Sequence, residues 1–193
     1  MMYSAKYKTD TYEDYIEIKF SNWEDLKSIA GHNWDNIMIL DLYNNGLPNL
    51  PNYSNYWPIF LRKLYLGRNS ISKLPEVPNY WPSKLTTISL SSNRLTKLPI
   101  YEKYWPTKLE ALYLIGNELK NIPDIVGYWA STLIILNLSN NELQSLPTTV
   151  NYWPNCLMYL NVNHNNISEI PTILISRRIC TFNYNDNPII RNY

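Results

Sequence analysis

Residues 133–147 read Leu-Ile-Ile-Leu-Asn-Leu-Ser-Asn-Asn-Glu-Leu-Gln-Ser-Leu-Pro, and this stretch decides the fold. Its apolar residues are spaced L-x-x-L-x-L, an asparagine follows three residues later, and the unit ends on Leu-Pro. The pattern occurs six times at a constant step of 24 residues, and a truncated seventh copy follows after a step of 22. Its central leucine position is filled in turn by Leu40, Leu64, Ile88, Leu112, Leu136, Leu160 and Phe182. A constant period of this length predicts an array of stacked repeats.

The period divides the 193-residue chain into three parts. Residues 37–178 hold the six full repeats, and residues 179–193 hold the truncated repeat and a C-terminal cap. Residues 1–36 are predicted to form an N-terminal cap that includes a degenerate first coil, because the apolar residues Ile16, Ile18 and Leu26 lie 24 positions before equivalents in the first repeat. We therefore expect about eight coils.

The alternation around the central leucine is typical of a short strand. A single 24-residue unit cannot bury its own leucines, whereas stacked units share one interior and each contributes a strand to a parallel sheet. The fold class predicted is an α/β-type repeat that is mostly β, a solenoid or horseshoe with few regular helices.

Asparagine is abundant, with 26 residues, and one of its columns is invariant. In each unit it follows the strand, where a tight corner leaves backbone groups that a side-chain amide can satisfy in its own coil and in the next. The predicted ladder consists of Asn45, Asn69, Asn93, Asn117, Asn141, Asn165 and Asn187.

A second periodic element lies between the leucine segments. Asn55-Tyr56-Trp57-Pro58 recurs with small changes, and its tryptophan column continues through Trp81, Trp105, Trp129 and Trp153. We interpret this column as a structural spine on the outer face, because large aromatic rings fill wide gaps. The alternative is an exposed ladder of tyrosines that docks a second partner.

These leucine, asparagine and Leu-Pro positions resemble the leucine-rich repeat family over roughly residues 13–190. Units that end on Leu-Pro are similar to those of bacterial type III effectors and of some proteins from giant viruses of amoebae. The resemblance implies a curved solenoid with the parallel sheet on its concave face, and a role in protein–protein interaction.

The residues between the strand leucines face away from the core, since alternate side chains of a strand point to opposite sides. These positions vary from copy to copy, whereas the leucine and asparagine columns do not. The predicted partner-binding residues on the concave face are Asp41, Tyr43, Lys63, Tyr65, Ser89, Tyr113, Ile115, Ile135, Asn137, Tyr159 and Asn161.

Composition argues against several other classes of function. The net charge is +1 and only 17% of residues are charged, so no bulk electrostatic attraction to nucleic acid or to an anionic membrane is expected. The N-terminus lacks the apolar stretch of a secretion signal, and Cys156 and Cys180 are too few for a disulfide framework. We expect a cytoplasmic protein, in the host cytoplasm if it is viral or an effector.

No catalytic or metal-binding residues are predicted. His32 and His164 lie far apart without cysteine or carboxylate at ligand spacing, and both cysteines are expected to be buried or semi-buried. No cofactor is expected.

The predicted function is a non-enzymatic scaffold that binds another protein, of unknown identity, on its concave sheet. One alternative is a structural or assembly component, in a virion or as a homo-oligomer through the C-terminal end, because the last coil has Phe182 and Tyr184 but no polar cap. Ile189, Ile190 and Tyr193 are candidates to cover that end. The other alternative is the substrate-recognition subunit of a ubiquitin ligase or a host-targeting effector.

Overall fold

The computed structural model describes residues 2–11, 14–177 and 179–190. Short strands recur at the repeat period, and helices are few and short. The elements are β1 (Tyr3–Thr9), β2 (Ile16–Phe20), α1 (Trp23–Ala30), a 3₁₀ helix (Gly31–Asn36), β3 (Ile37–Asp41), β4 (Lys63–Tyr65), β5 (Thr87–Ser89), β6 (Ala111–Tyr113), β7 (Ile135–Asn137), β8 (Tyr159–Asn161), α2 (Thr172–Ile175) and β9 (Thr181–Asn183).

All the strands belong to one sheet, in the order β2-β1-β3-β4-β5-β6-β7-β8-β9. From β3 to β9 neighbouring strands are parallel and in register, so the central residue of each strand lies beside that of the next. These central residues are fully buried from Leu40 to Leu160. We number the coils 1 to 7 from the strands β3 to β9.

The prediction of a mostly β solenoid with a parallel sheet is confirmed. Each coil returns from its strand through extended, helix-poor segments that begin at Leu-Pro, where proline fixes φ and donates no hydrogen bond. The return to β9 contains the four-residue helix α2 instead, and this coil is two residues shorter than the others.

The N-terminal cap differs from the predicted degenerate coil. β2 pairs antiparallel with β1, and β1 pairs antiparallel with β3, with Lys6 opposite Asp41. The antiparallel pair of β1 and β2, which we call the hairpin, therefore takes the place of a first coil, and the described sheet has seven parallel strands rather than eight. Ile16 and Ile18 match the repeat spacing only because a half-buried hairpin strand has the same two-residue alternation as a repeat strand.

Helix α1 completes the cap. The Asn22 side chain accepts a hydrogen bond of 3.0 Å from the backbone N–H of Asp25, which caps the first turn. The helix buries Leu26 and Ala30 against coil 1, and Trp23 packs its ring 5.7 Å from that of Tyr56. The hairpin and helix thus close one end of the shared core.

The opposite end of the solenoid is less covered. Ile179, Phe182 and Ile189 occupy core positions of coil 7 but are only partly buried, and Ile190 is exposed. The backbone N–H of Ile190 donates to Ser168 O at 3.0 Å, so this segment lies along coil 6. Tyr193, one of the residues predicted to cover this end, lies outside the described residues.

Candidate functional site

The candidate site is the face of the parallel sheet that points away from the leucine core, and we call it the concave face. Two rows of side chains cross it. The central row consists of the residue that follows the buried central residue of each strand, and the leading row consists of the residue that precedes it. The central row is Asp41, Tyr65, Ser89, Tyr113, Asn137, Asn161 and Asn183, and the leading row is Ile39, Lys63, Thr87, Ala111, Ile135, Tyr159 and Thr181.

The structure brings nine of the eleven predicted partner-binding residues together in these two rows, because the strands are in exact register, whereas Tyr43 and Ile115 lie two residues beyond the ends of their strands. Tyr43 and Lys63 are exposed. Seven others are half-buried by their neighbours, namely Asp41, Tyr65, Ser89, Tyr113, Ile115, Ile135 and Tyr159.

Asn137 and Asn161 are buried, although both were predicted to be exposed on this face: they are only 8% and 9% exposed. The Oδ1 atom of Asn137 accepts hydrogen bonds from the backbone N–H and the hydroxyl of Ser139, at 3.0 and 2.8 Å. Asn161 accepts from the N–H of Asn163 at 3.0 Å. Both side chains therefore stabilise the turn that leaves the strand, which explains their burial.

The same turn-stabilising bond occurs at Asp41, whose carboxylate accepts from the N–H of Tyr43 at 2.9 Å. In contrast, the described residues offer no hydrogen-bond partner to the side-chain hydroxyls of Tyr65 and Tyr113. Partial burial, then the Asp41 carboxylate and then Tyr113, raise the pKa of Tyr65. The middle of the central row thus carries two tyrosines on either side of the small Ser89.

The asparagine ladder lies at the edge of this face, where each strand ends. The amide of Asn93 donates to Leu66 O in the preceding coil and to Leu90 O in its own coil, both at 2.9 Å. Its Oδ1 accepts from the N–H of Ile71 at 3.0 Å. Bonds of this kind to two adjacent coils recur at Asn69, Asn117, Asn141, Asn165 and Asn187.

The first ladder residue connects the cap to the repeats. Asn45 Nδ2 donates to Ser4 O at 2.7 Å, and its Oδ1 accepts from the Ser4 N–H at 2.6 Å. Strand β1 therefore takes the place that a preceding coil takes elsewhere in the ladder.

Two columns of residues have positive φ, and neither was predicted from the sequence. One column immediately precedes the ladder: Asn44, Arg68, Ser92, Gly116, Asn140, His164 and Asp186. The other immediately precedes the Tyr-Trp pair: Asn55, Asn79, Lys103, Gly127 and Asn151. The recurrence of Asn and Gly in the second column was an available signal, since these residues adopt this conformation most readily.

The tyrosine and tryptophan columns form a buried spine at the back of the solenoid. Trp81 and Trp105 stack with ring centroids 6.1 Å apart and planes inclined by 10°. Tyr104 is 3% exposed and donates its hydroxyl proton to Pro75 O at 3.1 Å. The alternative of an exposed tyrosine ladder on this face is wrong, because these rings fill the interior.

The outer surface has a groove with an apolar lining, and none of the spine residues lines it. A groove of about 750 Å³ runs between α1 and coils 1 to 3, and Trp23, Tyr53 and Pro75 line it. Tyr53 donates its hydroxyl proton to the Glu24 carboxylate, and burial together with this bond and the carboxylate charge raises the pKa of Tyr53 to about 12. Because the phenol stays protonated in neutral solution, this bond holds α1 against coil 1.

The described residues contain no group of three or more His, Cys, Asp or Glu side chains placed to hold a metal ion. His164 and Asp186 form an exposed pair, with Nε2 3.3 Å from Oδ2. Cys156 and Cys180 are both exposed free thiols, so the expectation that they are buried is wrong. Each cysteine lies next to a core position, and its side chain points outward from there.

Neither helix of the described chain has the length and apolar character needed to cross a membrane.

Comparisons with known proteins agree with this architecture. The family model for the Leucine Rich Repeat matches residues 132–153. The leucine-rich-repeat domain of a Shigella effector is 28% identical, with a TM-score of 0.61 over 81% of this chain and 61% of that one. YopM, a leucine-rich effector protein from Yersinia pestis, is also 28% identical, with a TM-score of 0.57 over 82% of this chain and 39% of its own.

Internalin C2 from Listeria monocytogenes shares the fold at 23% identity, with a TM-score of 0.53 over 93% of this chain and 79% of that one. No match is found among curated proteins. In repeat pattern and fold this chain resembles the leucine-rich-repeat proteins among bacterial effectors, and it spans less than two thirds of the Shigella domain and of YopM. The resemblance to proteins of giant viruses stays a prediction.

Proposed function

We propose that this protein is a non-enzymatic scaffold that binds another protein on its concave face. The observation that carries the proposal is the contrast within one residue type. The spine tyrosines are buried, even Tyr80 and Tyr152 whose hydroxyls have no described partner, whereas Tyr65 and Tyr113 stand only half-buried in the middle of the sheet. Tyrosine in such a position offers contact area and a hydrogen-bonding group at low entropic cost.

The comparisons support this class of function, since leucine-rich-repeat proteins are generally interaction scaffolds and two of the similar structures are bacterial effectors. We extend this to a host-targeting role in the host cytoplasm. The role of substrate-recognition subunit of a ubiquitin ligase stays a prediction.

Site-specific photo-crosslinking tests the proposed face directly. A benzophenone amino acid in place of Ser89 lies between the two tyrosines, and the same amino acid in place of Ile100, which is 73% exposed on the outer surface, is the matched control. In extract from cells that make the protein, or that it enters, we expect one discrete adduct from position 89 and none from position 100. An adduct from position 100 alone would contradict the proposal.

The variant Tyr65→Ala, Tyr113→Ala is the complementary test, with Tyr101→Ala as an outer-surface control. Each lost hot-spot tyrosine is expected to weaken binding of the crosslinked partner by more than about 1 kcal/mol. Equal binding by the double variant and by the parent would place the contact elsewhere.

A second candidate function is assembly through the C-terminal end. β9 is the last strand of the sheet, and Phe182 and Ile189 are only partly buried there, unlike the core residues of inner coils. Strand edges and uncovered ends of solenoids are sites of association. Sedimentation velocity of the parent and of Phe182→Glu tests it: the parent is expected to sediment as a dimer and the variant as a monomer. A monomeric parent would remove this candidate.

A further inference from the structure

Coil 2 carries a cluster of cations at one end of the concave face, where Lys63 lies in the leading row and Arg62 and Arg68 flank the two rows. Arg62, Lys63 and Arg68 all come from coil 2, all are exposed, and none forms an ion pair with a described residue. Other lysines do find carboxylates, as Lys97 does at 3.1 Å from Glu76. Coil 2 therefore presents three cations whose charge the fold leaves unneutralised.

The carboxylates nearest in the sheet do not offset these cations. Glu17 lies 3.9 Å from Lys6 and accepts a hydrogen bond from Ser4, so its charge is already shared within the hairpin. Asp41 lies beside Tyr65 in the central row and binds the N–H of Tyr43. Three cations then face one available carboxylate, and this end of the face attracts anions.

The other end of the concave face has a different chemistry. From β5 to β9 the central and leading rows contain no charged residue, and the flanking positions equivalent to Arg62 and Arg68 carry the acids Glu110 and Asp186 rather than cations. Tyr113, Ile135 and Tyr159 are half-buried there and form the apolar part of the two rows. Depletion of charge together with exposed tyrosine is typical of the centre of a protein interface.

The two ends are separated by a distance that one short peptide spans. Lys63 and Tyr159 lie on strands four steps apart, which is about 19 Å at the usual strand spacing. An extended chain rises about 3.3 Å per residue, so roughly six residues cover this distance.

We propose that the concave face binds an acidic–apolar segment of a partner protein. Its carboxylates lie over Arg62, Lys63 and Arg68, and its apolar side chains lie about three to six residues away over Tyr113, Ile135 and Tyr159. This inference rests on the proposed function and names the partner's chemistry. A nucleic acid is the less suitable occupant, because three cations neutralise few phosphates and the other half of the surface has no cation in its rows.

Selection from a display library of random 16-residue peptides on the immobilised full chain tests the proposal. The enriched peptides are expected to carry two or more Asp or Glu residues about three to six positions from a pair of apolar residues. Their affinity is expected to fall at least about tenfold in Arg62→Glu, Lys63→Glu, and to fall with added salt, because the attraction is between charges. Lys108→Glu, an exposed lysine outside the two rows, is the matched control and is expected to leave affinity unchanged.

The outcomes separate this inference from the proposed function. Peptides without acidic residues whose binding is lost in Tyr65→Ala, Tyr113→Ala would overturn the acidic–apolar partner and leave the concave scaffold standing. Peptides whose binding depends on neither set of variants would count against both. Failure to enrich any peptide, or tighter binding of a single-stranded 16-nucleotide DNA than of the enriched peptides to the parent, would also overturn the inference.

Discussion

Tyr104 and Tyr113 are nine residues apart, at the end of coil 3 and in the strand of coil 4, and the protein uses them in opposite ways. Tyr104 belongs to the buried spine, where its ring stands 5.2 Å from that of Trp105 and its hydroxyl bonds to Pro75 O. Tyr113 belongs to the central row of the concave face, where it is half-buried and its hydroxyl bonds to no described residue. The difference shows that a tyrosine of the repeated column is built into the fold, whereas a tyrosine of the variable central row makes no hydrogen bond that would hold the fold.

The largest expected effect is alkaline unfolding through the spine. Burial raises the pKa of the five spine tyrosines, Tyr56, Tyr80, Tyr104, Tyr128 and Tyr152. Their folded pKa values exceed the unfolded value of about 10, so their stabilising contribution is complete below pH 10 and is lost as the pH rises above it.

We therefore expect a free energy of unfolding that is flat from pH 8 to 10 and falls by up to about 1.4 kcal/mol per pH unit for each spine tyrosine above pH 10. Phenolate absorbance and circular dichroism, recorded together, check this. Phenolate absorbance from the spine tyrosines is expected to rise only together with the loss of the circular dichroism signal. Titration of all tyrosines in the folded state would refute the buried spine.

Removing one ring of the spine is the next largest change. Trp105→Ala leaves a cavity between Trp81 and Trp129, whose rings stand 6.1 and 6.2 Å from its own. The expected loss is about 4 kcal/mol in the free energy of unfolding, as for other buried large-to-small changes. Urea denaturation measures it, and Trp23→Ala in the half-buried cap is expected to lose less.

The ladder is expected to contribute somewhat less per residue than the spine. Asn117→Ala leaves the N–H of Leu95 and the carbonyls of Leu90 and Leu114 without their side-chain partner. Buried groups left in this way cost about 1–3 kcal/mol each, and relaxation lowers the sum, so we expect a loss of about 3 kcal/mol. Asn187→Ala, in the less buried last coil, should lose about half as much; equal losses at both sites would contradict the account of the ladder.

The positive-φ column gives the smallest and sharpest pair of changes. Lys103 and Gly127 occupy equivalent positions, with φ of 54° and 74°. Lys103→Gly should raise the free energy of unfolding by about 1 kcal/mol, and Gly127→Lys should lower it by a similar amount, because only the backbone conformation differs. A Cβ at Gly127 meets no heavy atom within 4 Å, so the second change tests strain without a clash. Thermal denaturation of both variants measures this. Changes of the same sign in their melting temperatures would contradict the explanation by backbone conformation.

The sequence predicts most of the repeat region, because a strict period transfers one local inference to every coil. The leucine positions, the parallel register and the placement of Tyr65 and Tyr113 on one face all follow from the spacing around Leu64 and Leu112. The burial of Asn137 and Asn161 does not follow, since it depends on whether a short polar side chain turns back to its own backbone.

The cap shows where prediction from the period fails. Residues 16–20 match the repeat spacing, yet they pair with β1, which approaches β3 in the antiparallel direction. The hairpin satisfies the first coil through Asn45 and Ser4, contacts that lie 41 residues apart and that no spacing reveals. Long-range pairing at the ends of an array depends on the apolar surface and the strand edge that the terminal coil leaves uncovered. The sequence of a single repeat does not contain that information.

The most direct test of the division between columns and rows is the urea denaturation of Tyr65→Ala, Tyr113→Ala beside Asn93→Ala. If Tyr65 and Tyr113 do not stabilise the fold, the double variant keeps the parent's free energy of unfolding to within about 1 kcal/mol, whereas Asn93→Ala loses about 3 kcal/mol. A double variant that unfolds as easily as Asn93→Ala would show that the concave tyrosines hold the fold, and the central claim would be wrong.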